Sequence, residues 1–171
     1  MKSAEYWIEK LQLQSHPEGG YFRESYRATE SIQAVHLPNR FNGDRSFSTA
    51  IYYLLKGEQF SAFHRLKSDE LWHFYSGSSL TIYLLNQEGV LVELQLGDDF
   101  DAGESFQLVV PANTWLAARC GRKDSYSLVG STVAPGFDFI DLDFANRQDL
   151  IKEYPENTAI ISQLTQPKPR K

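Results

Sequence analysis

The sequence predicts an all-β barrel or sandwich with a short helix at each end. Three observations lead there. From Tyr21 to about Val133, short apolar runs follow one another with strand-like alternation. The breaks between them carry glycine or Ser and Asp, and no helical stretch intervenes to make a parallel crossover. Eleven Phe, nine Tyr and three Trp supply the flat side chains that strands and ligand pockets favour.

Taken in chain order, Ser3 can cap a helix running to about Leu13, with Glu5 in its first turn and Trp7, Ile8 and Leu11 on one side. "HPEGG" stops it. The strand runs are then "GGYFRESYRA", "FSTAIYYLL", "FSAFHRL", "ELWHFYSG", "SLTIYLL", "VLVELQL", "ESFQLVVP", "TWLAARC" and "YSLVGSTV". Asn146 can cap a second helix, "RQDLIKEY", which Pro155 ends, and a further turn, "ENTAIISQL", follows. "TQPKPRK" reads as a loose basic tail. "GDDFDAGE" lacks a twelfth-position glutamate and flanking helices, so it is a solvated acidic loop and not a calcium site.

Seventeen basic against twenty-two acidic residues give a charge of −5, with no basic field for a nucleic-acid backbone or anionic lipid. A single cysteine, Cys120, rules out an internal disulfide framework and fits a reducing compartment. No apolar run has the length of a membrane span, and "MKSAEYWIEK" mixes charges where a signal peptide is apolar. The expected location is cytoplasmic.

The chemistry concentrates in "FHRLKSDELWHFYSG", residues 63–77. With strands over residues 60–66 and 70–75 and a turn at "KSD", alternation puts Phe60, Ala62, His64 and Leu66 on one face. Glu70, Trp72 and Phe74 share a face of the next strand, and His73 points away from Glu70. Two readings fit His64 with Glu70: an acid–base dyad, since imidazole titrates near neutrality, or a hydrogen-bonded pair beneath the mouth with no catalytic part. Tyr52 and Tyr53 lie on opposite faces of one strand, and Tyr53 is the one assigned to the hollow. In "GGYFRESYR", Tyr21, Arg23 and Ser25 lie on one side and Phe22, Glu24 and Tyr26 on the other.

Glycine, an interval, His, an interval, Glu, six residues and Gly, here Gly57, His64, Glu70 and Gly77, resembles the first cupin motif. Within the cupins the chain is most similar to a small family named as a domain of unknown function. The matching pieces are "HPEGGYFRESYR", "STAIYYLL", "FHRLKSDELWHFYSG", "VVPANTWLAAR" and "GSTVAPGFDFIDLDFA". A weaker resemblance runs to the deoxysugar-nucleotide epimerases of the rhamnose pathway.

The resemblance implies a double-stranded β-helix, the jelly-roll barrel that holds a ligand in its mouth. It implies one cupin domain over residues 1–171: an N-terminal helix over 1–15, the barrel over 20–145, a helical segment over 146–164 and a tail over 165–171. It also implies His64 and Glu70 as the reacting pair, with Tyr53, Leu66, Trp72, Phe74, Trp115 and Leu116 around a small-molecule ligand. By likeness to the epimerases, Arg23 is a phosphate or carboxylate contact; read from its residues alone it is a surface group beside an acidic neighbour. Metal-binding members carry histidine where this chain has Leu66 and Leu116, so neither a metal nor another cofactor is expected. A homodimer is expected, because a barrel-edge strand is readily completed by its twin.

Three functions follow in order of preference. The first is a metal-independent isomerase or epimerase of a sugar-like or other polar metabolite. The second is a non-catalytic binding protein for an apolar or aromatic metabolite. The third is a metal-dependent oxygenase.

Overall fold

The structure, a computed structural model, describes residues 2–86 and 88–166; the tail beyond Gln166 lies outside them. Helix α1 (Ala4–Lys10) is capped by Ser3, whose Oγ accepts the Tyr6 N–H at 3.2 Å. Strands follow as β1 (Gln14–Ser15), β2 (Tyr21–Arg27), β3 (Ser31–Ile32), β4 (Arg45–Ser46), β5 (Thr49–Lys56), β6 (Phe60–Leu66) and β7 (Asp69–Gly77). The second half adds β8 (Leu80–Leu85), β9 (Leu91–Leu96), β10 (Gln107–Val110), β11 (Trp115–Cys120), β12 (Tyr126–Ala134) and β13 (Leu142–Phe144). Helices α2 (Arg147–Glu153) and α3 (Thr158–Gln163) complete the chain. The Asn146 side chain caps α2, accepting from Gln148 N at 3.0 Å and Asp149 N at 3.2 Å.

The nine long strands are those the alternation predicts; β1, β3, β4 and β13 are additional short ones. They form a six-stranded sheet ordered β1-β2-β5-β12-β7-β10 and a five-stranded sheet ordered β13-β6-β11-β8-β9, with β3 and β4 as a separate ribbon. Alternation sorts the side chains. Tyr53, Leu55, Trp72, Leu80, Ile82, Leu84, Leu116 and Val129 fill the space between the sheets. Phe63, Tyr83, Leu85 and Trp115 point out of the five-stranded sheet, where Leu150, Tyr154 and Ile161 of the C-terminal segment cover them. Leu54, Tyr126 and Leu128 point out of the six-stranded sheet beneath α1. The terminal helices therefore cap the two outer faces that a bare sandwich would leave apolar.

One expectation from strand parity is corrected. β6 and β7 lie in different sheets: the chain passes from the five-stranded sheet to the six-stranded one at Lys67 and Ser68, and Ser68 Oγ donates to the Pro135 carbonyl at 2.8 Å. β6 also contains a bulge. Leu116 opposes His64 but Ala118 opposes Ser61, so β6 has one more residue than β11 across that stretch. The bulge moves Phe60 into the outer cluster with Phe63, and it leaves Ser61 beside His64 at Glu18.

The bulge also releases backbone donors. Ala62 N–H goes to Glu18 O at 2.9 Å and Phe63 N–H to Leu164 O at 2.8 Å. The loop 16–20 thus lies directly on β6. Gly19 has φ +122°, and a Cβ there would fall inside the contact shell of the Phe60 carbonyl. Gly19→Ala is expected to cost about 2 kcal/mol, read by denaturant unfolding, because the loop must lift off the strand.

One buried ion pair joins the connections around the mouth. Arg45, 3% exposed, meets Asp141, 4% exposed, through Nε at 2.6 Å and Nη2 at 2.7 Å. Its Nη1 donates to the carbonyls of Asn42, Gly43 and Asp44.

Candidate functional site

Where β6 hands over to β7, the two sheets enclose a cavity of about 80 Å3, room for several waters or one small molecule. His64, Leu66, Glu70, Trp72 and Tyr53, all expected there, line it. The remaining predicted contacts lie elsewhere. Arg23 projects from the opposite face of β2, its guanidinium 5.7 Å from the Tyr52 ring centre. Phe74 packs against the inter-sheet core, and Leu116 is wholly inside it. Trp115 sits in the outer cluster, with the Arg65 guanidinium 4.4 Å from its ring centre. Trp115 and Leu116 are neighbours in one strand, so they face opposite ways, and neither reaches the cavity. His73 binds Thr132 Oγ1 at 3.0 Å, away from it.

The cavity also holds residues the sequence reading left out. His16 and Glu18, read as a helix stop and as part of the family-matching piece "HPEGGYFRESYR" but not as site residues, are 7% and 6% exposed and line its wall. Two glycines directly after a charged pair were the available signal, since they let a loop press its polar side chains inward. A second irregularity recruits Arg27. Glu24 opposes Ile51 but Tyr26 opposes Ala50, so the extra residue Ser25 turns Tyr26 out to solvent and Arg27 in beside Glu24.

Glu18 is the hub. Its Oε2 lies 3.2 Å from His64 Nε2, while His64 Nδ1 faces the Ala62 carbonyl at 2.7 Å. Both ring nitrogens of His64 therefore face protein oxygens, one on the Glu18 side chain and one on the backbone. His16 Nδ1 accepts the Glu18 N–H at 3.3 Å. Burial alone would raise the Glu18 carboxyl, but His64 and His16 beside it outweigh burial and hold it below its ordinary value. Burial keeps His16 below its ordinary value, so near neutrality its ring is uncharged. Burial likewise lifts the Tyr53 phenol, helped by the Glu18 charge, and its hydroxyl donates to Gly19 O at 2.7 Å.

Glu70 behaves oppositely. Burial is the main cause raising its carboxyl to about 7; His64 works against that, and the Glu18 charge adds to it. Ser131 Oγ donates to Oε2 at 3.3 Å, and Oε1 has no partner among the described residues. So the expected His64–Glu70 dyad is really a His64–Glu18 pair, with Glu70 a separate carboxyl poised at neutrality.

His64 Nε2 is committed to Glu18 and His16 Nδ1 to the Glu18 N–H, and among the described residues no three His, Cys, Asp or Glu side chains are arranged to hold an ion.

Two facing antiparallel sheets around a small, acid-lined hollow define a jelly-roll barrel. The chain belongs to the Cupin superfamily (DUF985) family, whose sequence pattern matches residues 5–145. It is 30% identical over 166 residues to Uncharacterized protein YML079W of Saccharomyces cerevisiae, covering 91% of this chain and 82% of that one. The crystal structure of Protein SO0799 from Shewanella oneidensis superposes with a TM-score of 0.88 at 38% identity, covering 98% of this chain and 100% of that one. A hypothetical protein from Leishmania major does so with 0.87 at 31%, covering 96% and 99%. No helix among the described residues is long and apolar enough to cross a membrane.

Proposed function

We propose that this cupin is a metal-independent isomerase that moves a proton within a small polar metabolite. The observation that carries the reading is Glu70: a carboxyl 5% exposed, raised to about 7, with one oxygen free in a cavity. A group that titrates at the working pH can both take a proton and return it. In its ionised form Glu70 removes the proton from a hydroxyl-bearing carbon beside a carbonyl; the electron pair forms a C–C double bond, the hydroxyl proton passes to the old carbonyl oxygen, and protonated Glu70 returns its proton to the old carbonyl carbon as the new carbonyl forms. Glu18 supplies negative charge beside this carboxyl, and the environments that push Glu18 down and Glu70 up separate their roles.

With a substrate found by screening, Glu70→Gln is expected to lower turnover about 10²- to 10⁴-fold. The same screen in D2O should find deuterium at the reacting carbon. Unchanged turnover in that variant would remove Glu70 from the mechanism.

A second reading is favoured by the aromatic share of the wall, Phe22, Trp72, Phe137 and Phe139. On it the hollow holds an apolar or aromatic metabolite and releases it unaltered. Ligand recovered from D2O without deuterium would select this reading.

A further inference from the structure

Some polar atoms of the cavity have partners, and among its side-chain N and O atoms shut off from solvent two have none among the described residues. Arg27 is committed: its Nε and Nη2 meet Glu24 at 3.0 Å and 2.7 Å, and Nη1 donates to the Phe137 carbonyl at 3.1 Å. His64 is committed to Glu18 and to the Ala62 carbonyl. Glu70 Oε1 and Trp72 Nε1 are buried with no hydrogen bond of good geometry among the described residues, although the indole lies near enough to the Glu70 carboxyl to work against its rise. Glu70 is 5% and Trp72 2% exposed, and both line the cavity. Buried polar atoms left in this state are costly, which points to a group that completes them.

The two atoms belong to residues i and i+2 of β7, so they lie on one face, with Cα atoms about 7 Å apart. An indole N–H only donates, and an ionised carboxylate oxygen only accepts. One hydroxyl group serves both: its oxygen accepts from Trp72 and its hydrogen goes to Glu70. An ammonium group would leave the indole N–H unmet, because it has nothing to accept with. An anion would meet Glu18 and Glu70 with no uncommitted guanidinium or ammonium in the lining among the described residues, as Arg27 already holds Glu24.

We infer that the cavity takes a small uncharged α-hydroxycarbonyl compound, with its hydroxyl set between Trp72 Nε1 and Glu70 Oε1. The hydroxyl and the neutrality come from this geometry; the carbonyl rests on the proton-transfer reading above. Phe137 and Phe139 at the mouth, ring centres 4.9 Å apart, offer an apolar surface to the carbon skeleton.

The test uses the full chain labelled with 15N-tryptophan, its three indole signals assigned through Trp7→Phe, Trp72→Phe and Trp115→Phe. Dihydroxyacetone, glycolaldehyde and erythrulose are titrated against glycolate and glycerate at equal concentrations. The neutral compounds are expected to shift the Trp72 indole signal saturably, with the two carboxylates bound at least about tenfold more weakly. Calorimetry should show about five- to tenfold weaker binding of the neutral compound to Trp72→Phe. Two results overturn the inference. One is no saturable Trp72 shift with any neutral compound, as when water alone bridges the two atoms; the other is an equal shift with glycolate. Saturable binding without deuterium uptake from D2O would remove the proton-transfer reading and leave the hydroxyl site standing. Deuterium uptake without a Trp72 shift would do the reverse.

Discussion

Replacing Arg45 with methionine is expected to lower the unfolding free energy by about 3–5 kcal/mol, the range for removing one partner of a buried pair. Asp141 would be left at 4% exposure with Lys67 Nζ at 3.5 Å as its remaining partner among the described cations. The carbonyls of Asn42, Gly43 and Asp44 would also lose their common donor. Because Phe139 lies two residues before Asp141 and lines the cavity, the mouth should loosen together with the fold. Arg45→Met with Asp141→Leu is expected to recover most of the loss, since an apolar pair leaves no stranded charge. Urea unfolding of the single and double variants measures both. A loss below about 1 kcal/mol in the single variant would mean that Lys67 and water compensate Asp141.

The second large effect depends on pH. Glu70 has a folded value of about 7 against an ordinary 4.5, so the folded chain holds this proton more tightly than the unfolded chain. Its contribution is therefore fully present below pH 4.5, declines as pH rises towards 7, and is lost above that. The difference amounts to about 3 kcal/mol. Glu70→Gln cannot ionise. It should match the parent at low pH and exceed its stability by about 3 kcal/mol above neutrality. Glu18 runs the other way: its lowered carboxyl stabilises above its ordinary value, and this is lost as pH falls. Unfolding curves of both proteins across the acid-to-neutral range test this, and a constant offset between them would contradict a raised Glu70.

Much of this architecture was legible in the sequence because alternation is a local property. Tyr53 against Leu54, or Tyr83 against Leu84, sorts itself into inner and outer clusters without knowledge of the partner strand. His64 and Glu70 were placed in one hollow on that basis. The errors arise where alternation is interrupted or where a partner comes from far away. The bulges in β6 and β2 shift Phe60, Tyr26 and Arg27 to new faces, and their cause lies in pairing with β11 and β5. Glu18 escaped notice because a loop residue has no periodicity to reveal it; only folding brings it to His64 across 46 positions of chain. The pairing of His64 with Glu18, and not with Glu70, then determined which carboxyl was left free.

The irregularity at Ala62 and Phe63 has one more implication. Its two liberated amides are claimed by opposite extremities of the polypeptide, Glu18 near the start and Leu164 near the finish. The strand bearing His64 is thus a knot at which both ends are tied, and trimming the last helix would be felt at a carboxylate almost 150 positions upstream. Chain integrity at its extremities and charge placement in the hollow are one cooperative property of this barrel.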